Sequence, residues 1–180
     1  MRANIIIHSI NGNIFLMAKA LKEKLVERDI DARIYRIEDS DLHLAAAKDN
    51  QVNEYYEEII SLPLASNEKL RKGDAIILAC PAIFSLPSAE MVTFLSQTLP
   101  LWEQRELEGK VFYAFSSSSI SSEEGTSCIT GLQLWADSMQ MNIISSPVMV
   151  HADCEGVAIR PGEETILLAE EAAKKISEEL

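Results

Sequence analysis

The feature that most constrains this chain is the apolar run Arg2–His8, centred on Ile5-Ile6-Ile7, together with the turn behind it. Ser9-Ile10-Asn11-Gly12-Asn13 breaks the pattern, and a helical spacing starts at Ile14. A buried strand that passes through a short polar turn into a helix gathers free backbone N–H groups at the positive end of that helix. The result is an anion site, most often for a phosphate. At the start of an alternating strand/helix chain it points to a nucleotide or flavin nucleotide at the carboxyl edge of a parallel sheet.

The alternation continues along the chain. Ile14–Arg28 reads as a helix, because Ile14, Ala18, Leu21 and Leu25 share one face and Lys19, Lys22, Glu23 and Glu27 the other. Asp31–Ile37 reads as a second strand. Val52–Ile60, within the mixed region Leu42–Leu64, has helical spacing, and Ser66–Lys72 reads as one or two turns capped by Ser66. Asp74–Cys80 is a third strand that Pro81 is expected to stop. Ser88–Leu99 and Thr126–Met139 are expected helices, Lys110–Phe115 and Asn142–Val150 further strands, and Pro161–Leu180 a terminal helix. Strands apolar on both faces and separated by helices predict one α/β domain over residues 1–180. The expected architecture is a three-layer sandwich around a five-stranded parallel sheet of order 2-1-3-4-5, the flavodoxin-like arrangement.

Composition narrows the function. At 180 residues the chain can bury a sizeable core, and its formal net charge of -12 argues against a nucleic-acid partner. The longest apolar runs fall short of the roughly 20 residues that cross a bilayer. The apolar run after Arg2 is too short for a secretory leader, so a reducing cytoplasm is the expected address. Cys80, Cys128 and Cys154 lack C-x-x-C spacing, which disfavours a disulfide framework or structural zinc. His8, His43 and His151 are scattered, so no metal is assigned from spacing. No G-x-S-x-G frame or Ser-His-Asp set is evident.

In the expected topology three segments converge at one sheet edge: Ser9–Asn13, Pro81–Pro87 and Ser116–Gly125. They are rich in small and hydroxylic residues, as a planar cofactor with a phosphate tail requires. The first turn has no lysine or arginine, so neutral donors and the helix end would hold the phosphate. A plain turn with Asn13 as helix N-cap is the alternative. The turn is neither a G-x-x-x-x-G-K-[ST] loop nor a G-x-G-x-x-G fingerprint, which disfavours ATP and dinucleotide readings.

These residues carry a family resemblance. Ser9-Ile10-Asn11-Gly12-Asn13-Ile14 followed by Met17-Ala18-Lys19-Ala20 is similar to the phosphate loop of the WrbA-type flavodoxin-like proteins, the FMN-dependent NAD(P)H:quinone oxidoreductases. Asp74-Ala75-Ile76-Ile77 with Pro81-Ala82-Ile83-Phe84, Met91 with Phe94-Leu95 and Gln97-Thr98, Leu101-Trp102, and Leu107-Glu108-Gly109-Lys110-Val111 resemble further family motifs in the same order. The resemblance implies FMN as cofactor and NAD(P)H as electron donor. It implies that Ser9, Asn11, Gly12, Asn13 and Ile14 hold the phosphate. Pro81, Ala82, Ile83, Phe84 and Ser85, with Ser117, Ser118, Ser119 and Ile120, would line the isoalloxazine. It also implies a homo-oligomer, dimer or tetramer, with Trp102 at an interface or packed locally. No catalytic acid or base is implied.

The chain departs from the family pattern. Ile83 and Ser85-Leu86 stand where the family has arginine and glycine-asparagine, and Ser121-Ser122-Glu123-Glu124 replaces a glycine-containing stretch. Two other readings therefore stay open: a flavin-free binding or regulatory module, and an acidic one-electron carrier.

Overall fold

The computed structural model describes residues 1–118, 121–144, 148–151 and 163–180. In chain order the elements begin β1 (Arg2–Ile7), α1 (Asn13–Val26), β2 (Asp31–Arg36), α2 (Leu42–Ala46), α3 (Asn50–Ser61), α4 (Asn67–Lys72) and β3 (Ala75–Ile83). They continue β4 (Leu86–Pro87), α5 (Ala89–Ser96), α6 (Leu99–Glu103), β5 (Val111–Ser118), α7 (Ser122–Ser138), β6 (Asn142–Ile143), β7 (Val148–His151) and α8 (Glu163–Glu179).

The sheet has the order β2-β1-β3-β5-β6, all parallel, with β7 also pairing β5. Because β6 pairs with Val111 and Phe112, and β7 with Phe115–Ser118, the two short strands share the fifth position. The expected order of the main strands therefore holds. The expected single strand Asn142–Val150 is two pieces, and residues 145–147 lie outside the described part.

The isoleucine run shows why a central parallel strand needs apolar residues on both faces. Ile5 and Ile7 enter a core with Leu21, Leu25, Ala169, Ala173 and Ile176, beneath α1 and α8. Ile6, one position out of phase, enters the opposite core with Leu78, Met91, Phe112, Leu132 and Ala136, beneath α5 and α7. Each of these side chains is buried, and truncating one of the large ones would cost about 2–5 kcal/mol through lost burial and the cavity left behind.

Four expectations need correction. First, Pro81 does not end its strand: β3 runs to Ile83 and pairs Pro81 with Ser117. The carbonyl of Ala79 faces β1, where it accepts from the His8 N–H, so the nitrogen of Pro81, two residues on, faces the same side. There β1 has already ended, and the missing N–H costs no ladder bond. Second, Leu86–Pro87 turns back on β3 as a small antiparallel arm, pairing Ile83 with Leu86 and Ala82 with Pro87. Third, α7 starts at Ser122 rather than Thr126, because Ser121 Oγ accepts the Glu124 N–H and supplies an N-cap. Fourth, β5 runs three residues past Phe115, through Ser116–Ser118. The start of the terminal helix at Pro161 lies outside the described residues.

Candidate functional site

The strand order puts the carboxyl ends of β1, β3 and β5 side by side. At the end of β1 the chain turns through residues 8–12 into α1. Gly12 occupies the N-cap position with φ +87°, a left-handed geometry that suits glycine, and offers no capping side chain of its own. Asn13 is the first helical residue, not the N-cap that the plain-turn alternative required. Ser9 Oγ folds inward and accepts the Phe15 N–H at 3.2 Å. The first intrahelical bond runs from Leu16 N–H to Gly12 C=O. Among the described residues, the amides of Ile10, Asn11, Gly12, Asn13 and Ile14 have no protein acceptor.

The carboxamide of Asn13 sharpens this picture. Asn13 is 6% exposed, and its Nδ2 is a buried donor without a partner among the described residues. Burying an unpaired donor costs about 1–3 kcal/mol, so such a group calls for an acceptor beyond the described residues. Ser9 adds a hydroxyl whose proton has no acceptor among the described residues. A row of amides, a buried carboxamide donor and a hydroxyl at a helix N-terminus fit the phosphate of FMN. The nearby cation Lys19 is committed elsewhere, over the Phe15 ring at 5.1 Å and against Glu58 at 3.0 Å. The side chain of Ile14 belongs to the core, so only its backbone can serve the site.

The cover over this turn comes from a region whose sequence pattern is indistinct. α3 brings the Tyr55 ring onto Gly12 and edge-on to Phe15, with ring centroids 6.4 Å apart. The helical spacing of Val52, Tyr55, Ile59 and Ile60 is the available signal. It marks a buried face but not what that face covers.

The second segment is strand and turn rather than loop. Pro81 and Ala82 are half-buried, Ile83 and Ser85 are exposed, and Phe84 stands 85% exposed at the tip of the β3–β4 arm. Phe84 and Ser85 both have positive φ, 52° and 66°, the backbone of a two-residue type I′ hairpin. Neither is the Asn or Gly that this turn favours. A large apolar side chain on a left-handed backbone carries a conformational cost that asparagine or glycine would avoid there.

The third segment pins that arm. Ser117 and Ser118 are buried at the end of β5. The Ser118 hydroxyl donates to Glu124 Oε2 at 2.5 Å, and the Ser85 N–H donates to Glu124 Oε1 at 3.1 Å. Glu124 is therefore a bracket between two of the expected flavin-lining segments, not a solvated acid. Ser119 and Ile120 lie outside the described residues. Trp102, on α6, is half-exposed.

Two buried groups border the site. Cys80 Sγ, on β3, lies 3.8 Å from Cys128 Sγ on α7, and both thiols are fully enclosed. The contact with Cys128 raises the Cys80 pKa well above its ordinary value, with burial adding to the rise. The same contact lowers that of Cys128. His8, next to Ser9, is buried between Ser88 and Asp39. Cys154 lies outside the described residues.

The family model for NADPH-dependent FMN reductase matches residues 1–154. An NAD(P)H dehydrogenase (quinone) of Archaeoglobus fulgidus is 32% identical over 140 residues, covering 77% of this chain and 73% of that protein. One from Aromatoleum aromaticum is 33% identical over 124 residues, covering 66% of this chain and 58% of the relative. Among solved structures, a flavodoxin, WrbA-like protein from Agrobacterium tumefaciens superposes with a TM-score of 0.74 at 16% identity, covering 98% of this chain and 95% of that one. Oxidised flavodoxin 1 from Bacillus cereus gives 0.71 at 14% identity, covering 100% and 99%. The structural matches establish the flavodoxin-like fold, and with the match over residues 1–154 the chain belongs to the NADPH-dependent FMN reductase family of oxidoreductases.

Proposed function

We propose that this chain holds FMN with its phosphate on residues 9–14 and uses NAD(P)H to reduce a quinone or a similar two-electron acceptor. The observation that carries the reading is the set of donors at the turn that have no acceptor among the described residues: the amides of residues 10–14 and the buried Nδ2 of Asn13. The quinone is supported by the names of relatives that share about a third of their residues with this chain.

Bound FMN supplies hydride acceptance and onward electron transfer, chemistry for which no side chain substitutes. The residues hold, orient and shield. Ser9, Asn13 and the helix end hold the dianion. Pro81–Ser85 and Ser117–Ser118, braced by Glu124, form the wall beside it. Exposed Phe84, Leu86 and Trp102 support self-association, in keeping with an oligomer.

Titration of the protein with FMN and with riboflavin tests the site. Micromolar or tighter FMN binding, with quenched flavin fluorescence and at least about tenfold weaker riboflavin binding, is expected. Equal affinities would remove the phosphate role. Stopped-flow reduction by NADH and NADPH, and then reoxidation by a quinone, tests the activity. Failure of both nucleotides, with reduction only by a protein donor, would favour the one-electron carrier that the net charge of -12 also suits.

A further inference from the structure

We infer that His8, Asp39 and Glu90 form a binding site for a divalent transition-metal ion of the zinc class. The site borders the phosphate turn through His8, but its other two residues, Asp39 and Glu90, lie outside that turn.

The three residues come from three places in the chain. His8 is the residue after β1 and its neighbour, Asp39 lies beyond the end of β2, and Glu90 is in the first turn of α5. Parallel pairing of β1 with β2, and the return of the chain into α5, bring one donor atom from each within 4.8 Å of the other two. His8 Nε2 lies 3.1 Å from Asp39 Oδ2. Two donors each about 2.1 Å from one zinc ion sit roughly 3.0–3.4 Å apart, so this pair is already at ligand spacing. Glu90 Oε2 lies 3.6 Å from His8 Nδ1. Its side chain is 34% exposed and must rotate away from the Nδ1 edge to reach an ion held at Nε2.

The surroundings are those of a metal site. Metal-bound histidines donate their second ring N–H to a fixed acceptor, and ligating carboxylates are themselves hydrogen-bonded. Here His8 Nδ1 lies 2.8 Å from Ser88 Oγ, which is itself fixed as the N-cap of α5. Asp39 Oδ1 accepts the Asp41 N–H at 2.9 Å, leaving Oδ2 for the ion. Charge points the same way. Among the described residues no lysine or arginine pairs with Asp39 or Glu90, and their ionic partner is His8. Two carboxylates beside one imidazole form a locally acidic cluster. The helix dipole offsets part of the charge on Glu90, but not that on Asp39.

Three protein ligands leave at least one coordination position open. Glu90 also lines a cavity of about 360 Å³ with Ile37, Glu38, Leu64, Thr93 and Phe94, so the open position can face water or a small ligand there. One imidazole and two carboxylates favour zinc, cobalt or manganese over magnesium or calcium, which prefer all-oxygen shells.

The test uses chelator-stripped full-length protein without added flavin. Calorimetry with Zn²⁺, and the visible absorption of added Co²⁺, should show one ion per chain, unaffected by millimolar Mg²⁺. Glu90→Gln and Asp39→Asn should each weaken uptake at least about tenfold, with unchanged circular dichroism, and Ser88→Ala should weaken it less. FMN titration of the same variants should remain as in the wild type. No uptake at up to about 1 mM ion, or uptake that both carboxylate variants leave intact, overturns the proposal.

Discussion

The ring of Tyr55 occupies the space that a side chain on Gly12 would need: a Cβ there would lie 2.2 Å from Tyr55 Cδ2. The turn that offers its amides is thus fitted to a ring from α3, and the left-handed φ of Gly12 adds a second demand for glycine. Gly12→Ala is expected to cost about 1–3 kcal/mol through overlap and backbone strain, seen in the urea midpoint, and to weaken FMN at least about tenfold. Pairing it with Tyr55→Leu should relieve the overlap but not the strain, so stability returns only in part. Full additivity of the two changes would show that the contact is not the cause.

Asn13 tests the phosphate separately from the fold. Its Nδ2 makes no bond to the described chain, so Asn13→Asp removes a donor and adds a charge that repels the dianion. FMN affinity is expected to fall at least about tenfold, or about 1.4 kcal/mol, while riboflavin affinity changes little. A parallel loss for both flavins would place the effect on the fold instead.

The β3–β4 arm should trade stability against function. Replacing Phe84 and Ser85 by Asn and Gly supplies the residues that a type I′ turn prefers, and is expected to stabilise the protein by about 1 kcal/mol in thermal unfolding. Reduction of the acceptor, or self-association measured by sedimentation, should decline as Phe84 leaves the tip. A stabilised variant with full activity and unchanged sedimentation would show that Phe84 has no role.

Tyr113 sets a limit at alkaline pH. Its hydroxyl is buried without a partner among the described residues, and burial, with Glu171 adding to it, raises its pKa above the usual value near 10. Linkage gives the sign. The neutral phenol is favoured in the folded protein, so its contribution is fully present below about pH 10 and is lost as pH climbs from there through the raised folded value. Tyr113→Phe should lose less melting temperature between about pH 9 and 11 than the wild type, and be neutral or about 1 kcal/mol more stable at pH 7. An unchanged alkaline slope would exclude this group as the source.

Local patterns were legible from the residues themselves. Ile5-Ile6-Ile7 announces a strand buried on both faces because alternate side chains must enter opposite cores. The spacing of Ile14, Ala18, Leu21 and Leu25 fixes which side of α1 meets the sheet, and Gly12 marks the turn through its backbone freedom. Strand order came from the strand/helix alternation and right-handed crossovers. Where reasoning from sequence failed, it judged residues by their neighbours along the chain. Pro81 looks like a strand end until the early end of β1 is known, and nothing in the sequence around Glu124 names Ser85 and Ser118 as the groups that donate to it.

The sequence by itself determined the chemistry available at each strand end: small polar residues after β1, an apolar tip after β3, hydroxyls after β5. Only the tertiary structure decided which of these groups meet. Tyr55 over Gly12, Cys80 against Cys128, and His8 among Asp39, Ser88 and Glu90 join residues on different crossovers, far apart along the chain. Periodicity along a chain reports the face a side chain turns to. The neighbour it finds there is set by how the crossovers bring distant strands and helices into register, and that information is not local.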